Sequence, residues 1–119
     1  MNDTSTVQRG ASAEANATAA LIAAGYQIIE RNFACKAGEL DIVARDGDVL
    51  VFVEVRSRVD AAHGHAAEMV SPAKCAQVTR VARIYLAARD PDYDECRFDV
   101  VAITGDVVDI IKDAWRLAS

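Results

Sequence analysis

Four charged residues near the middle of this chain could do metal and phosphate chemistry together. They lie in two stretches, Gly38-Glu39-Leu40-Asp41 and Val53-Glu54-Val55-Arg56, set in runs of Val, Ile, Leu and Phe. Successive side chains of an extended strand alternate between faces. Alternation puts Val51, Val53 and Val55 on one side and Phe52, Glu54 and Arg56 on the other. In the earlier stretch Leu40, Ile42 and Ala44 share a side, opposite Glu39, Asp41 and Val43. With a turn centred on Asp46-Gly47, Glu39 opposes Glu54 and Asp41 opposes Phe52. Glu39, Asp41, Glu54 and Arg56 then project from one face, with Asp41 the diagonal neighbour of Glu54. A slip of one residue would undo this arrangement. Acids on a strand pair otherwise so apolar need partners, because a buried unpaired charge is costly. Two explanations are open. In one, Arg56, Arg58 or Arg97 neutralises the acids in an ion-pair network on a solvated face. In the other, oxygen ligands hold a hard divalent cation, Mg²⁺ or Mn²⁺, used to act on phosphate.

The elements that must position this hairpin can be read from the flanking sequence. Residues 1–8 are polar and pattern-free and are expected as a loose N-terminus, leaving residues 9–119 as a single domain. Gly10 to Ala24 is alanine-rich and stops at Gly25, which predicts a helix with a glycine just past its end. Tyr26 to Phe33 suits a strand, Leu40 to Ala44 a second, and Val49 to Arg58 is the strongest strand in the chain. Ser71-Pro72 reads as an N-cap with proline at the first helical position, opening a helix to about Ala88. Asp90-Pro91-Asp92 breaks it, Arg97 to Thr104 is another apolar strand, Gly105-Asp106 turns the chain, and Val107 to Ile111 adds a short edge strand. The order α-β-β-β-α-β predicts an α/β domain with a mixed central sheet flanked by helices, the crossover making the third and fourth strands parallel. Tyr26, Phe33, Phe52, Phe98 and Trp115 are expected in the core.

Other residues stand near this hairpin by pattern. Glu14 falls on the helical stripe of Ala17 and Leu21, so its carboxylate either faces the sheet or is an exposed acid favoured by the helix dipole. Lys74 aligns with Val78, Val81 and Tyr85 on the inner stripe of the second helix, where it contacts phosphate or packs its stem while its amine reaches water. Residues 71–89 carry Lys74, Arg80, Arg83 and Arg89 with no acid. Arg80 and Arg83 lie opposite the apolar stripe, and with Lys74 and Arg58 they are the cations available to a nucleic-acid backbone, or else a solvated face. His63 and His65 flank Gly64 in a loop, too little to fix a metal. Arg97 and Asp99 share a strand face and are read as a structural salt bridge.

Composition sets the outer bounds. The chain has 119 residues with 13 Lys and Arg against 18 Asp and Glu, a net charge of −5 that excludes a protein coated in positive charge. No stretch approaches the roughly 18 consecutive apolar residues of a membrane span, and Met1 to Gln8 lack the regions of a signal peptide. A cytoplasmic protein with no membrane partner is therefore expected. Three cysteines, Cys35, Cys75 and Cys96, suggest neither a disulfide framework nor a CxxC zinc site. Paired carboxylates also serve glycosidases, but 6% aromatic residues and the neighbouring arginine argue against a sugar substrate.

The run GELDIVARDGDVLVFVEVRSR, preceded by Gly10, Glu14, Ala17, Gly25-Tyr26 and Arg31-Asn32-Phe33 and followed by Gly64, Lys74 and Arg97-Phe98-Asp99, resembles the YraN family. That is a bacterial family of predicted nucleases with a restriction-endonuclease-like fold, similar to archaeal Holliday junction resolvases. Within the wider PD-(D/E)xK superfamily the resemblance implies Asp41 and Glu54 as metal ligands, with the carbonyl of Val55 a third. It implies a first-helix glutamate, Glu14, in support, and Mg²⁺ or Mn²⁺ as cofactor. Glu39 would bind a second ion, hydrogen-bond a ligated water, or support the hairpin. The implied substrate is nucleic acid, DNA before RNA, and related resolvases act as dimers on symmetric junctions, so a homodimer is expected. The motif lysine is replaced by Arg56, which stays protonated and can only position groups or stabilise charge. Either the chain is a metal-dependent nuclease despite this, or it is a catalytically weak or inactive nucleic-acid-binding module of the same fold.

Overall fold

A computed structural model describes residues 2–58 and 70–116 of the chain, with side chains from 12 to 57 and from 70 to 116. The elements run α1 (Asn2–Ala23), β1 (Gln27–Cys35), β2 (Gly38–Asp46), β3 (Val49–Arg58), α2 (Pro72–Arg89), β4 (Glu95–Thr104) and β5 (Val107–Trp115). His63, Gly64 and His65 lie outside the described residues, as does the side chain of Arg58.

Both helices end where the sequence says they should. Gly25, at φ +98, donates to Ile22 O and Tyr26 donates to Leu21 O, a Schellman closure in which Tyr26 and Leu21 also share a hydrophobic cluster. Ser71 caps α2 by accepting from the Lys74 N–H at 3.1 Å, with Pro72 at the first helical position. The start of α1 differs from expectation: the helix begins at Asn2, not Gly10. No glycine or proline precedes Gly10, so nothing stops the alanine-rich helix from propagating back towards the N-terminus.

The five strands lie in chain order, β1-β2-β3-β4-β5, antiparallel throughout except for the parallel pair β3/β4 that α2 connects. Helix α2 covers one face, over Phe33, Leu40, Val43, Leu50, Phe52 and Phe98. Helix α1 covers the other, over Ile42, Ala44, Val51, Val53, Val101 and Ile103. Central strands covered on both faces need apolar residues at nearly every position, which is why the start of β3 reads VLVFV. On the α2 face an aromatic chain crosses the sheet: Phe33 meets Tyr85 at 5.1 Å, Tyr85 meets Phe52 at 5.8 Å, Phe52 meets Phe98 at 5.4 Å, and Phe98 stacks on Trp115 at 4.8 Å. Among the described residues no helix is long and apolar enough to cross a membrane. All three cysteines are free.

The β2–β3 register differs from expectation by two residues. Asp46 pairs with Val49 and Phe52 with Val43, where the sequence reading opposed Phe52 to Asp41. The turn is made by Gly47-Asp48, because a two-residue hairpin turn takes a left-handed residue at its first central position and Gly47 holds φ +62. An even shift keeps every side chain of β3 on its expected face.

Candidate metal and phosphate site

Glu54 follows Phe52 on the α2 face of β3 and is only 3% exposed. A carboxylate buried among valines must be neutralised, protonated or paired, and here three groups converge on it. Arg56 Nη2 lies 2.9 Å from Glu54 Oε2, Lys74 Nζ reaches the same oxygen at 3.5 Å, and Asp41 hydrogen-bonds the Glu54 carboxyl. Burial, and then the charge of Asp41, push the Glu54 pKa up to about 7, against the opposing pull of Lys74 and Arg56. Glu54 is therefore raised into the neutral range although two cations stand beside it.

Asp41 sits just past the last pair of the β2–β3 ladder, Ile42 with Val53. Its Oδ2 accepts the Val55 N–H at 2.8 Å, filling the place of a missing ladder partner. A strand residue directs its N–H and C=O to the same side, so the Val55 carbonyl also faces the Asp41 edge. The backbone opens here for a visible reason. Leu40 packs with Phe33 and Val43 on the α2 side, whereas Ile42 and Ala44 pack on the α1 side, so the expected common side of Leu40, Ile42 and Ala44 is broken at Asp41. Asn32 on β1 holds φ +59 between the pairs Arg31–Ile42 and Phe33–Leu40. A left-handed residue inside a strand re-aims its neighbours as a bulge does, and Leu40 follows Phe33 to the other side.

That break separates the expected acids. Glu39, across its strand from Leu40, is exposed, and the groups acting on Glu54 are Asp41, Lys74 and Arg56. Glu14 accepts a hydrogen bond from Asn32 Nδ2 at 3.0 Å, with Arg31 Nη1 4.0 Å away. It holds the residue that shapes the strand opposite Asp41. The structure thus brings together Asp41, Glu54, Val55, Arg56 and Lys74, and leaves Glu39 and Glu14 outside that group. Arg80 and Arg83 are exposed on α2.

Two residues escaped the sequence reading. Asn32 is one; an asparagine within a run of strand-formers is a signal for a left-handed kink. Gln77 is the other: its Nε2 donates to Ala37 O at 3.1 Å and ties α2 to the start of β2. Gly38 holds φ +142, a backbone that L side chains rarely adopt, and a Cβ there would lie 2.8 Å from Gln77 Nε2 and displace that amide. No periodicity marks Gln77 in advance.

The donor set fits a hard divalent ion. Among the described residues no three metal-ligating side chains cluster, and the site offers two carboxyls beside a main-chain carbonyl. Mg²⁺ is ordinarily held by one or two carboxylates with water and substrate phosphate completing the shell. A carboxyl whose pKa burial and a neighbouring acid raise is also one that a dication would stabilise as the anion. The Arg56 Nε is buried without an acceptor among the described residues.

The family model described as "Uncharacterised protein family UPF0102" matches residues 13–103. The chain belongs to the UPF0102 family. YraN and UPF0102 are one family, so the resemblance read from the sequence holds. Among UPF0102 proteins, that of Syntrophus aciditrophicus is 41% identical over 119 residues, 97% of this chain and 94% of the relative. The UPF0102 protein of Nitrosomonas eutropha is 46% identical over 101 residues, 85% of this chain and 86% of the relative. The UPF0102 match takes in Glu14, Asn32, Asp41, Glu54, Arg56 and Lys74 and ends before β5.

Proposed function

We propose that this UPF0102 protein is a Mg²⁺- or Mn²⁺-dependent nuclease that hydrolyses phosphodiester bonds in nucleic acid, DNA first, with branched DNA among its substrates. The observation that carries the reading is the buried Glu54 beside half-buried Asp41 at the open end of the β2–β3 ladder, with Arg56 and Lys74 on one oxygen of Glu54. Asp41, Glu54 and the Val55 carbonyl would hold the ion. When bound, the ion supplies Lewis acidity toward phosphate and water.

The remaining work falls to the chain's own cations. Arg56 keeps its guanidinium charged at any working pH, and its Nε can donate to a phosphate oxygen as negative charge develops there. Lys74, half-buried on α2, supplies the lysine that the motif position lacks and can shift from Glu54 to phosphate. Arg58, Arg80 and Arg83 would neutralise backbone phosphates away from the reacting one. Glu14 supports the β1 kink through Asn32, and Glu39 lies at the rim of the hairpin. The same reading carries a cytoplasmic protein that meets DNA as a homodimer, since one small domain spans few base pairs.

The rival reading is a nucleic-acid-binding module that does not cut, and the arginine at position 56 favours it. Incubation with labelled four-way junction, flap and single-stranded DNA separates the two. Wild type with Mg²⁺ or Mn²⁺ should cut, and an Asp41→Ala/Glu54→Ala variant purified alongside should lose more than about 100-fold in rate, since even outer-shell partners of a metal are worth 10–100-fold. Binding without cutting by wild type would favour the rival; equal cutting by both proteins would remove Asp41 and Glu54 from the chemistry.

A further inference from the structure

A second feature on α2 adjoins this site. An open cavity of ≈ 360 Å³ lies between α2 and the end of β5, lined by Cys75, Thr79, Arg80, Arg83, Trp115 and Arg116. No acid is among its lining residues. Arg116 is paired with Glu95 and Asp113, whereas Arg80 is exposed and has no ion-pair partner among the described residues. Trp115 is stacked on Phe98 and donates its Nε1–H to Thr79 Oγ1 at 2.9 Å, so its ring is held rigidly at the wall. A fixed aromatic beside an uncompensated arginine is the pairing that single-stranded nucleic acid uses, base on ring and phosphate on cation. Neighbouring helix positions join this cavity to the Asp41–Glu54 site. Lys74 touches Glu54, and Cys75, the next residue, lines the cavity. Arg80 stands about 9 Å further along the helix axis than Lys74, so the two cations lie in succession along one strand's path.

We infer that this cavity seats an unpaired nucleotide of the strand whose phosphate lies at Lys74, with its base against Trp115 and its phosphate on Arg80. The inference rests on the nuclease reading and sharpens it: the preferred substrate has single-stranded nucleotides beside the scissile bond, as a flap, a splayed junction arm or a single strand does. A continuous duplex keeps its bases stacked on one another and cannot fill the cavity.

Trp115 is the only tryptophan in the chain, so its fluorescence reports directly on this wall. Titrations are read in EDTA, where cutting plays no part. Short single-stranded oligothymidylate should quench Trp115, a duplex of equal length should not, and Arg80→Ala should weaken the single-strand titration several-fold and lower its salt slope by about 0.7, the share of one phosphate contact. Arg80→Lys should recover most of that loss. Equal quenching by duplex and single strand, or oligothymidylate binding by anisotropy that leaves Trp115 unquenched or ignores Arg80→Ala, would overturn the inference even where the enzyme cuts DNA. Quenching with no metal-dependent cutting would instead sink the nuclease reading and leave the cavity assigned to nucleic acid.

Discussion

The protein contains two buried clusters of acids and cations, one on each face of its sheet, and they are built to opposite ends. On the α1 face Asp99, fully buried, accepts from Tyr26 Oη at 2.6 Å, from Arg97 Nε at 2.8 Å and Nη2 at 2.9 Å, and from the Asp113 N–H at 2.9 Å. Arg97 goes on to Asp46 at 2.7 Å, and Lys112 meets the same Asp46 oxygen at 3.2 Å. Even the bulge in β5, where Asp113 holds φ +58 and the ladder skips Asp99, is fixed by that carboxylate. On the α2 face Glu54 is 3% exposed, yet burial and the charge of Asp41 raise its pKa to about 7, and its neighbour Arg56 has an Nε–H with no acceptor among the described residues. A satisfied network needs nothing more than the protein. On the reading proposed above, a dication with a phosphate has the charges to match the second network's acids and its spare donor.

The contrast can be broken first at Asp99. Asp99→Ala leaves the Arg97 guanidinium and the Tyr26 hydroxyl buried against a void, and urea denaturation should register a loss of about 3–5 kcal/mol. The α2-face cluster should respond with the opposite sign. Glu54 has its pKa raised from 4.5 to about 7, so in the folded state it holds a proton that the unfolded chain has already released. Its contribution to stability is full below pH 4.5 and is lost as pH rises through about 7, amounting to about 3 kcal/mol across that window in metal-free protein. Denaturation curves across that range should slope downward for wild type and lie flat for Glu54→Gln. Asp46 behaves in the reverse sense. The Arg97 hydrogen bond holds its carboxyl below the ordinary range, so its share of stability is lost only on strong acidification.

Smaller effects sharpen the comparison. Tyr26→Phe removes one hydrogen bond to a buried carboxylate and should cost about 2 kcal/mol in thermal or urea unfolding, with no change in DNA cutting. Arg56→Lys tests the other face. It should leave stability within about 1 kcal/mol and raise single-turnover cutting a few-fold, because a desolvated lysine can take part in proton transfer where arginine cannot. A binding module that does not cut would gain nothing.

Much of this was readable in the chain, and what was not has local causes. The hairpin, the parallel β3/β4 crossover, the Gly25 and Ser71-Pro72 helix ends and the Arg97–Asp99 bridge follow from patterning and turn chemistry. Of the expected group of Glu39, Asp41, Glu54 and Arg56, the last three stand together, and Lys74, read as either a phosphate contact or a packed stem, joins them. The turn was misread by one position, since Asp46-Gly47 and Gly47-Asp48 both look like turns and only the backbone at Gly47 decides. Glu39 was grouped with Asp41 because strict alternation cannot foresee that Asn32, on a different strand, breaks the pleat between them. For Glu14 the pattern left open whether it faces the sheet or solvent, and its partner is that same Asn32.

On the reading proposed above, Asp41 and Glu54 form a divalent-metal site and the Asp46–Asp99 cluster does not. Direct titration with Mn²⁺, followed by electron paramagnetic resonance of the free ion at neutral pH, tests it without reference to any substrate. Wild type and an Asp46→Asn variant should each take up one equivalent, and Asp41→Asn should take up none. Uptake by Asp41→Asn equal to that of wild type, or no uptake by wild type, would contradict the assignment.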